Sequence, residues 1–179
     1  MQLTTDRLIL REFVEEDWQA VLAYQQNPLY FRYYAQDAQT EQGAREFVQM
    51  FLNQQTATPR TKFQLAVTHK ENGQLIGNCG IRLKEIDAIE GDIGYELNPD
   101  YWGNGYASEA AKRIVHYGFT KLHLHRIWSW CIADNVGSYR VMEKVGMRRE
   151  GHLRQNEFYK GRYWDTLIYA ILEDEWKKQ

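Results

Sequence analysis

The sequence is poor in cysteine and in proline. Two cysteines in 179 residues, Cys79 and Cys131, cannot build a disulfide framework, and a reducing compartment is the simpler home for them. The three prolines, Pro28, Pro59 and Pro99, fall between periodic segments, where they mark boundaries. No run of about 18 apolar residues occurs, so no segment reads as a membrane-spanning helix. An excess of one charge is lacking too: 22 Lys and Arg against 24 Asp and Glu give a net charge of −2. Such a balance is not shaped to coat nucleic acid or anionic lipid. The opening Met1-Gln-Leu-Thr-Thr-Asp-Arg7 lacks the charge-then-apolar order of a secretion signal, and the expected location is cytoplasmic. Linkers, repeats and low-complexity tracts are missing as well, which predicts a single domain over residues 1–179.

Aromatic residues are plentiful. They make up 14% of the chain, enough to line cavities as well as fill a core. Residues 6–14 alternate and predict a strand. A helix beginning after Glu15-Glu16-Asp17 carries Trp18, Val21, Leu22 and Gln25 and closes at Pro28. A second helix is expected over 40–56, with Ala44, Phe47, Val48 and Phe51 as its stripe. Phe63, Leu65 and Val67 alternate toward an Asn72-Gly73 hairpin turn. Leu75–Leu83 returns as a strand whose Gly77 and Gly80 suggest a bulge or a close approach. Residues 91–97 predict another strand, with Ile93, Tyr95 and Leu97 on one face and Glu96 on the other. The strongest helical face is Ala107, Ala110, Ala111, Ile114, Val115, Gly118 and Phe119, over 105–121. Ile127–Ile132 reads as a central strand buried on both faces. A helix over 135–145 ends at Lys144 and Gly146, and strands at 148–157 and 163–172 flank Lys160-Gly161. This order is that of an α/β fold with early hairpins and central βαβ units.

The chemistry concentrates where the 91–97 strand enters Asn98-Pro-Asp-Tyr-Trp102-Gly103-Asn104-Gly105-Tyr106-Ala107 and runs into the best helix. Glycines let a ligand approach backbone. The first helical amides have no intrahelical partner and carry the positive end of the macrodipole. A phosphate or diphosphate is the natural guest, although the same glycines would also make a plain tight turn. No lysine follows Gly105, which argues against a P-loop. Residue 108 is Ser where a dinucleotide fold needs its third glycine.

The turn Trp102-Gly103-Asn104-Gly105-Tyr106-Ala107 resembles the acetyl-CoA pyrophosphate loop of the GNAT N-acetyltransferases, with Trp102 in the Gln/Arg position. That form resembles the RimJ/RimL-type (ribosomal-protein N-terminal) branch. So do Asp6-Arg7-Leu8-x-Leu10-Arg11, Asn135-x-x-Ser138-x-x-Val141-x-Glu143-Lys144-x-Gly146-Met147, Gly151-x-Leu153-Arg154 and Tyr163-x-Asp165-x-x-x-Tyr169. Met147 stands where Phe is usual. The resemblance implies a GNAT fold, with a mixed central sheet of about seven strands, a splayed cofactor cleft and four or so helices.

It further implies acetyl-CoA as cosubstrate and no metal. Pantetheine would bond to backbone at Glu96 and Leu97. The loop Trp102, Gly103, Asn104, Gly105, Tyr106 and Ala107 would hold the pyrophosphate, Asn135 would bond the pantetheine arm, and Ser138 would sit near the sulfur.

Acetyl transfer to an amine needs a base for the amine proton, a donor to the developing oxyanion and a donor to the leaving thiolate. Glu96 is the candidate base and Ser138 the candidate thiolate donor, with Tyr139 as alternative. A salt-bridged carboxylate and a helix-start serine are the blander readings. Asn135 also suits a helix N-cap. Glu109 reads as structural. His123 and His125, placed i, i+2 on a strand, lack partners for a metal site. Cys79 and Cys131 read as inert. Tyr30, Phe31, Tyr33 and Tyr34 are candidates for the acceptor wall, joined by Arg154, Tyr159 and Tyr163. The expected function is N-acetylation of a primary amine, either a protein N-terminal α-amine or a small amine. The alternative is a non-catalytic acyl-CoA sensor. The expected partner is the amine acceptor, with no nucleic acid or membrane, and a homodimer is left open.

Overall fold

The computed structural model describes residues 1–36 and 38–178. Its centre is an open sheet of eight strands: β1 (Gln2–Thr4), β2 (Leu8–Arg11), β3 (Lys62–His69), β4 (Leu75–Leu83), β5 (Glu90–Leu97), β6 (Arg126–Ile132), β7 (Arg148–Tyr159) and β8 (Arg162–Leu172). Their spatial order is β1-β2-β3-β4-β5-β6-β8-β7. The helices are α1 (Trp18–Gln25), α2 (Glu41–Thr56), α3 (Tyr106–Thr120), α4 (Val136–Lys144) and the short α5 (Glu173–Trp176).

All neighbouring strands are antiparallel except β5 and β6, which the crossover through α3 makes parallel. The apolar stripe of α3 packs on the sheet as its periodicity predicts: Ala110, Ala111, Ile114, Val115, Gly118 and Phe119 are buried. Gly118 lets α3 sit close to the sheet, since a Cβ would lie 2.6 Å from Ile127 Cδ1 and push that side-chain end aside. This core also takes in Ile81, Ile93, Ile127 and Met142. A second core under α1 and α2 holds Phe13, Val21, Tyr24, Val48 and Phe51. The Thr40 hydroxyl accepts the Gly43 N–H at 3.0 Å and caps α2. The Asn72-Gly73 turn closes through the His69 and Gln74 backbones.

Several expectations are corrected. The strand expected at 6–14 is only Leu8–Arg11, and Phe13 leaves it for the second core. Gln2–Thr4 adds the eighth strand; three residues are too few for alternation to register. The stretch between the first two helices forms a 3-10 turn at Tyr30–Tyr33. His123 has φ +54° in the turn before β6, so it does not share a strand with His125. The fifth helix, α5, stacks Trp176 on Phe119 with ring centroids 5.1 Å apart.

Candidate active site

Strands β5 and β6 pair over three residues only, Glu90–Asp92 against Arg126–Trp128. Beyond them the strands diverge, with one side-chain tie: Ser129 Oγ donates to the Ile93 carbonyl at 2.9 Å. The Ile89 carbonyl faces this edge too, accepting from His125 and Arg126. Backbone direction alternates along a strand, so the backbone groups of Tyr95 and Leu97 point into the gap. Those of Glu96 point to β4, where Asn78 is its partner. The backbone contact expected at Glu96 is therefore reassigned to Tyr95. The gap opens into a cleft of about 650 Å³.

One end of the cleft is the glycine loop. Asn98 Oδ1 accepts the Asp100 N–H at 3.0 Å and starts the turn. The Trp102 indole donates to the Leu97 carbonyl at 2.8 Å and folds the loop back on β5. Gly103 and Gly105 both adopt φ +80°, a left-handed conformation that side chains resist. A Cβ on Gly103 would meet nothing within 4 Å. Gly105 is the N-cap of α3 and supplies no side-chain cap, so the first amides of the helix are free to bind an anion. Trp102, Gly103, Gly105, Tyr106 and Ala107 line the cleft. Asn104 does not: its amide turns back to the Trp102 carbonyl at 3.1 Å.

Arg7 braces this loop from behind. Its guanidinium donates to the Asn104 carbonyl at 3.1 Å, pairs with Glu109 at 2.7 Å and lies 4.3 Å over the Tyr106 ring. Glu109 also accepts from the Thr5 hydroxyl at 2.6 Å and the Arg7 N–H at 2.9 Å. Burial pulls the Glu109 carboxyl upward, but these donors hold it below its ordinary value.

The other end is organised by Glu96, whose side chain faces α1. Oε1 accepts from the Tyr24 hydroxyl at 2.5 Å, Asn78 Nδ2 at 2.6 Å and Gln25 Nε2 at 3.2 Å. Oε2 accepts from the Tyr30 hydroxyl. Burial raises the Glu96 carboxyl above its ordinary value against the opposing pull of these four donors. Burial, then the Glu96 charge, raises the neighbouring phenols, taking Tyr34 to about 12. A carboxylate with a raised proton affinity among neutral donors can accept a proton near neutral pH.

Across the gap, the Asn135 side chain accepts the Ser138 N–H at 3.2 Å and caps α4. The Tyr95 hydroxyl donates to the Ser138 carbonyl at 2.7 Å and lies 3.1 Å from Ser138 Oγ. Asn135, Ser138, Tyr95, Glu96 and Leu97 all line the cleft, and Tyr139 packs against the main core instead. Burial pushes the Cys79 thiol up to about 12 and the Cys131 thiol up to about 11. Neither is a thiolate at neutral pH.

The 3-10 turn roofs the cleft. The Tyr33 hydroxyl reaches the Asp134 carbonyl at 3.0 Å on the β6–α4 loop. From the β7–β8 hairpin, Tyr159 donates to the Tyr33 carbonyl at 2.9 Å and Lys160 to the Phe31 carbonyl at 2.8 Å. Tyr30, Tyr33 and Tyr34 line the cleft; Phe31 turns into the second core. Tyr159 supports the roof from outside. Tyr163 lies on the hairpin surface beside Phe158, and Arg154 is exposed.

Sequence reasoning missed Tyr24, Gln25, Asn78 and Arg7. Two carried a signal: Asn78 is the polar residue inside the buried run Leu75–Ile81, and Gln25 is polar on an apolar helix stripe. A buried polar side chain needs a partner, and Glu96 supplies it to both.

A cleft of this build suits acyl transfer from a phosphate-bearing carrier to a nucleophile that needs a base. Residues 7–148 match the acetyltransferase (GNAT) domain, and the chain belongs to that family of N-acetyltransferases. It is 40% identical over 176 residues to the uncharacterized N-acetyltransferase YnaD of Bacillus subtilis, covering 98% of this chain and 99% of YnaD. A GNAT-family acetyltransferase structure from Bacillus anthracis superposes with a TM-score of 0.84 at 35% identity, covering 97% of this chain and 99% of that one. The spermidine N-acetyltransferase of Vibrio cholerae, solved with CoA and spermine, shares the fold at a TM-score of 0.80 and 21% identity, covering 97% and 99%.

Proposed function

We propose that the protein moves an acetyl group directly from the sulfur of acetyl-CoA to a primary amine, with Glu96 as general base. One observation carries this reading: a single cleft joins an uncapped helix N-terminus at Gly105 to a half-buried, donor-clustered carboxylate at Glu96. The left-handed loop with open space at Gly103 fits a diphosphate. In this reading the amides from Gly103 to Ala107 hold the pyrophosphate. The backbone of Tyr95 and Leu97, together with Asn135, lines up the pantetheine arm.

Acetyl-CoA supplies the activated acyl group. The free amine attacks the acyl carbon, a C–N bond forms and the C–S bond breaks. Glu96 Oε2 takes the amine proton, since Oε1 already accepts three donors. Ser138 Oγ, fixed by Tyr95 and by the Asn135 cap, donates to the departing thiolate. The acceptor is the α-amine of a protein N-terminus, as the RimJ/RimL-like motifs suggest, or a small amine. Two buried free cysteines support a reducing, cytoplasmic setting.

The test is thiol release from acetyl-CoA across monoamines, polyamines, amino acids and short peptides. Amine-dependent release is expected. Tight acetyl-CoA binding without release from any amine would replace the enzyme with an acyl-CoA sensor.

A further inference from the structure

The acceptor end of the cleft carries few charges, and they are unlike those of a polyamine site. Its lining residues include two carboxylates, Glu96 and Asp134. Asp134 is already neutralised, because Arg162 holds its Oδ2 at 2.6 Å. Glu96 is therefore left to meet one ammonium, and among the described residues lining the cleft a second cationic group would find no free carboxylate. The tyrosine faces do not replace it: Arg32 already lies over the Tyr33 ring at 5.4 Å, and Tyr30 and Tyr34 stack on each other at 5.1 Å.

Arg32 is the charge that the 3-10 turn brings to this cleft, whose α4 side carries Arg140 and Lys144. It lines the cleft, is exposed, and makes no ion pair with any described residue. It sits two residues beyond Tyr30, whose hydroxyl holds Glu96, and next to Tyr33, whose hydroxyl bridges the gap to Asp134. Glu96 and Arg32 line the same cleft, so one molecule seated there can meet both. An unpaired guanidinium offers a planar fork of donors to carboxylate or phosphate oxygens.

We infer that the acceptor is a small monoamine that also carries an anionic group, its amine held at Glu96 and its anion at Arg32. The inference rests on the acetyl-transfer reading above. Carboxylate and phosphate share this chemistry. A polyamine lacks the anion, and a neutral amine leaves the guanidinium unmatched.

The experiment compares kcat/KM for matched pairs in the full-length protein with acetyl-CoA: phenylalanine against phenylalaninamide, and phosphoethanolamine against ethanolamine, with spermidine and a neutral dipeptide amide alongside. The anionic member of at least one pair should exceed its neutral partner by about ten- to a hundredfold, the range of one hydrogen bond to a charged group. Which pair shows the gap tells carboxylate from phosphate. In Arg32→Gln that ratio should fall below about threefold. Equal or faster turnover of spermidine, the dipeptide amide or the neutral partners overturns the inference alone, as does a ratio that survives Arg32→Gln. If no amine releases thiol, the acetyl-transfer reading itself fails. Calorimetry of phenylalanine and phosphoethanolamine with the CoA-bound protein then decides the anion site separately: binding weakened by Arg32→Gln supports it, and no binding of either overturns it.

Discussion

Replacing Glu96 with Gln separates chemistry from architecture, because the substitution keeps the shape and removes the proposed base. The side-chain carbonyl can still accept from Tyr24, Gln25 and Asn78, the three donors that converge on Oε1. Only the contact to Tyr30 is reversed, since an amide nitrogen now faces its hydroxyl. One such bond is worth about 1 kcal/mol, which lowers Tm by roughly 2–4 °C in a domain of this size. Loss of a general base costs about 10²–10⁴ in rate, or roughly 2.7–5.4 kcal/mol of barrier. The catalytic loss exceeds the structural one, so the variant should fold and bind acetyl-CoA within about twofold of wild type yet turn over poorly.

The pH profile carries the decisive sign. Burial raises the Glu96 carboxyl above 4.5, and a base works only when deprotonated. Wild-type kcat should therefore fall as pH drops through that raised value, and Glu96→Gln should lack this acidic limb. Thiol release followed from pH 5 to 9, with acetyl-CoA affinity from calorimetry, reads both quantities. A variant whose kcat stays within about threefold of wild type and keeps the same limb would remove Glu96 from proton transfer.

Tyr30→Phe removes the donor to Oε2, which favours the charged carboxylate; the acidic limb of kcat should move to higher pH, and a limb that stays or moves down contradicts the assignment. Gly105→Val puts a β-branched residue at φ +80°, a strain of about 1–2 kcal/mol, and crowds the amides of the α3 N-terminus. Acetyl-CoA affinity by calorimetry should drop about tenfold or more, and normal affinity would mean that the loop is only a turn. Arg7→Ala removes the brace behind Asn104 and Glu109. KM for acetyl-CoA should rise several-fold, with kcat less affected, and an unchanged KM would show that the loop holds its shape unaided.

Local periodicity carries a large part of this architecture. The α3 stripe, the strand at Ile127–Ile132 and the glycine turn all lie within a few residues of where they act, although that strand is not buried on both faces as expected: Trp130 is exposed. Alternation alone put Glu96 opposite Ile93, Tyr95 and Leu97. Illegible were the contacts that depend on register across the sheet. Glu96 meets Asn78 because β4 and β5 align them as partners, and it meets Tyr24 and Tyr30 because α1 and the 3-10 turn pack on that face. The Arg7–Glu109 clamp joins residues 102 apart in sequence, and no local pattern pairs them. Phe31 shows the opposite error. It shares an aromatic run with Tyr30, Tyr33 and Tyr34, yet a 3-10 turn rotates it into the core.

The three-residue contact between β5 and β6 makes the sheet a lever. Strands β1–β5 form one arm, β6, β8 and β7 the other, and the fulcrum is the pairing of Glu90–Asp92 with Arg126–Trp128. From Asp92 to Leu97 the arm is five residues, roughly 17 Å, so a small rotation at the fulcrum is magnified at the mouth. Gly91 sits at that fulcrum, where a Cβ would press on Leu124 Cδ1 at 3.0 Å and Ile81 Cγ1 at 3.1 Å. In the proposed mechanism, the spacing between the acyl group and Glu96 is thus set by packing beneath the sheet. Residues that never touch a substrate govern the reach of those that do.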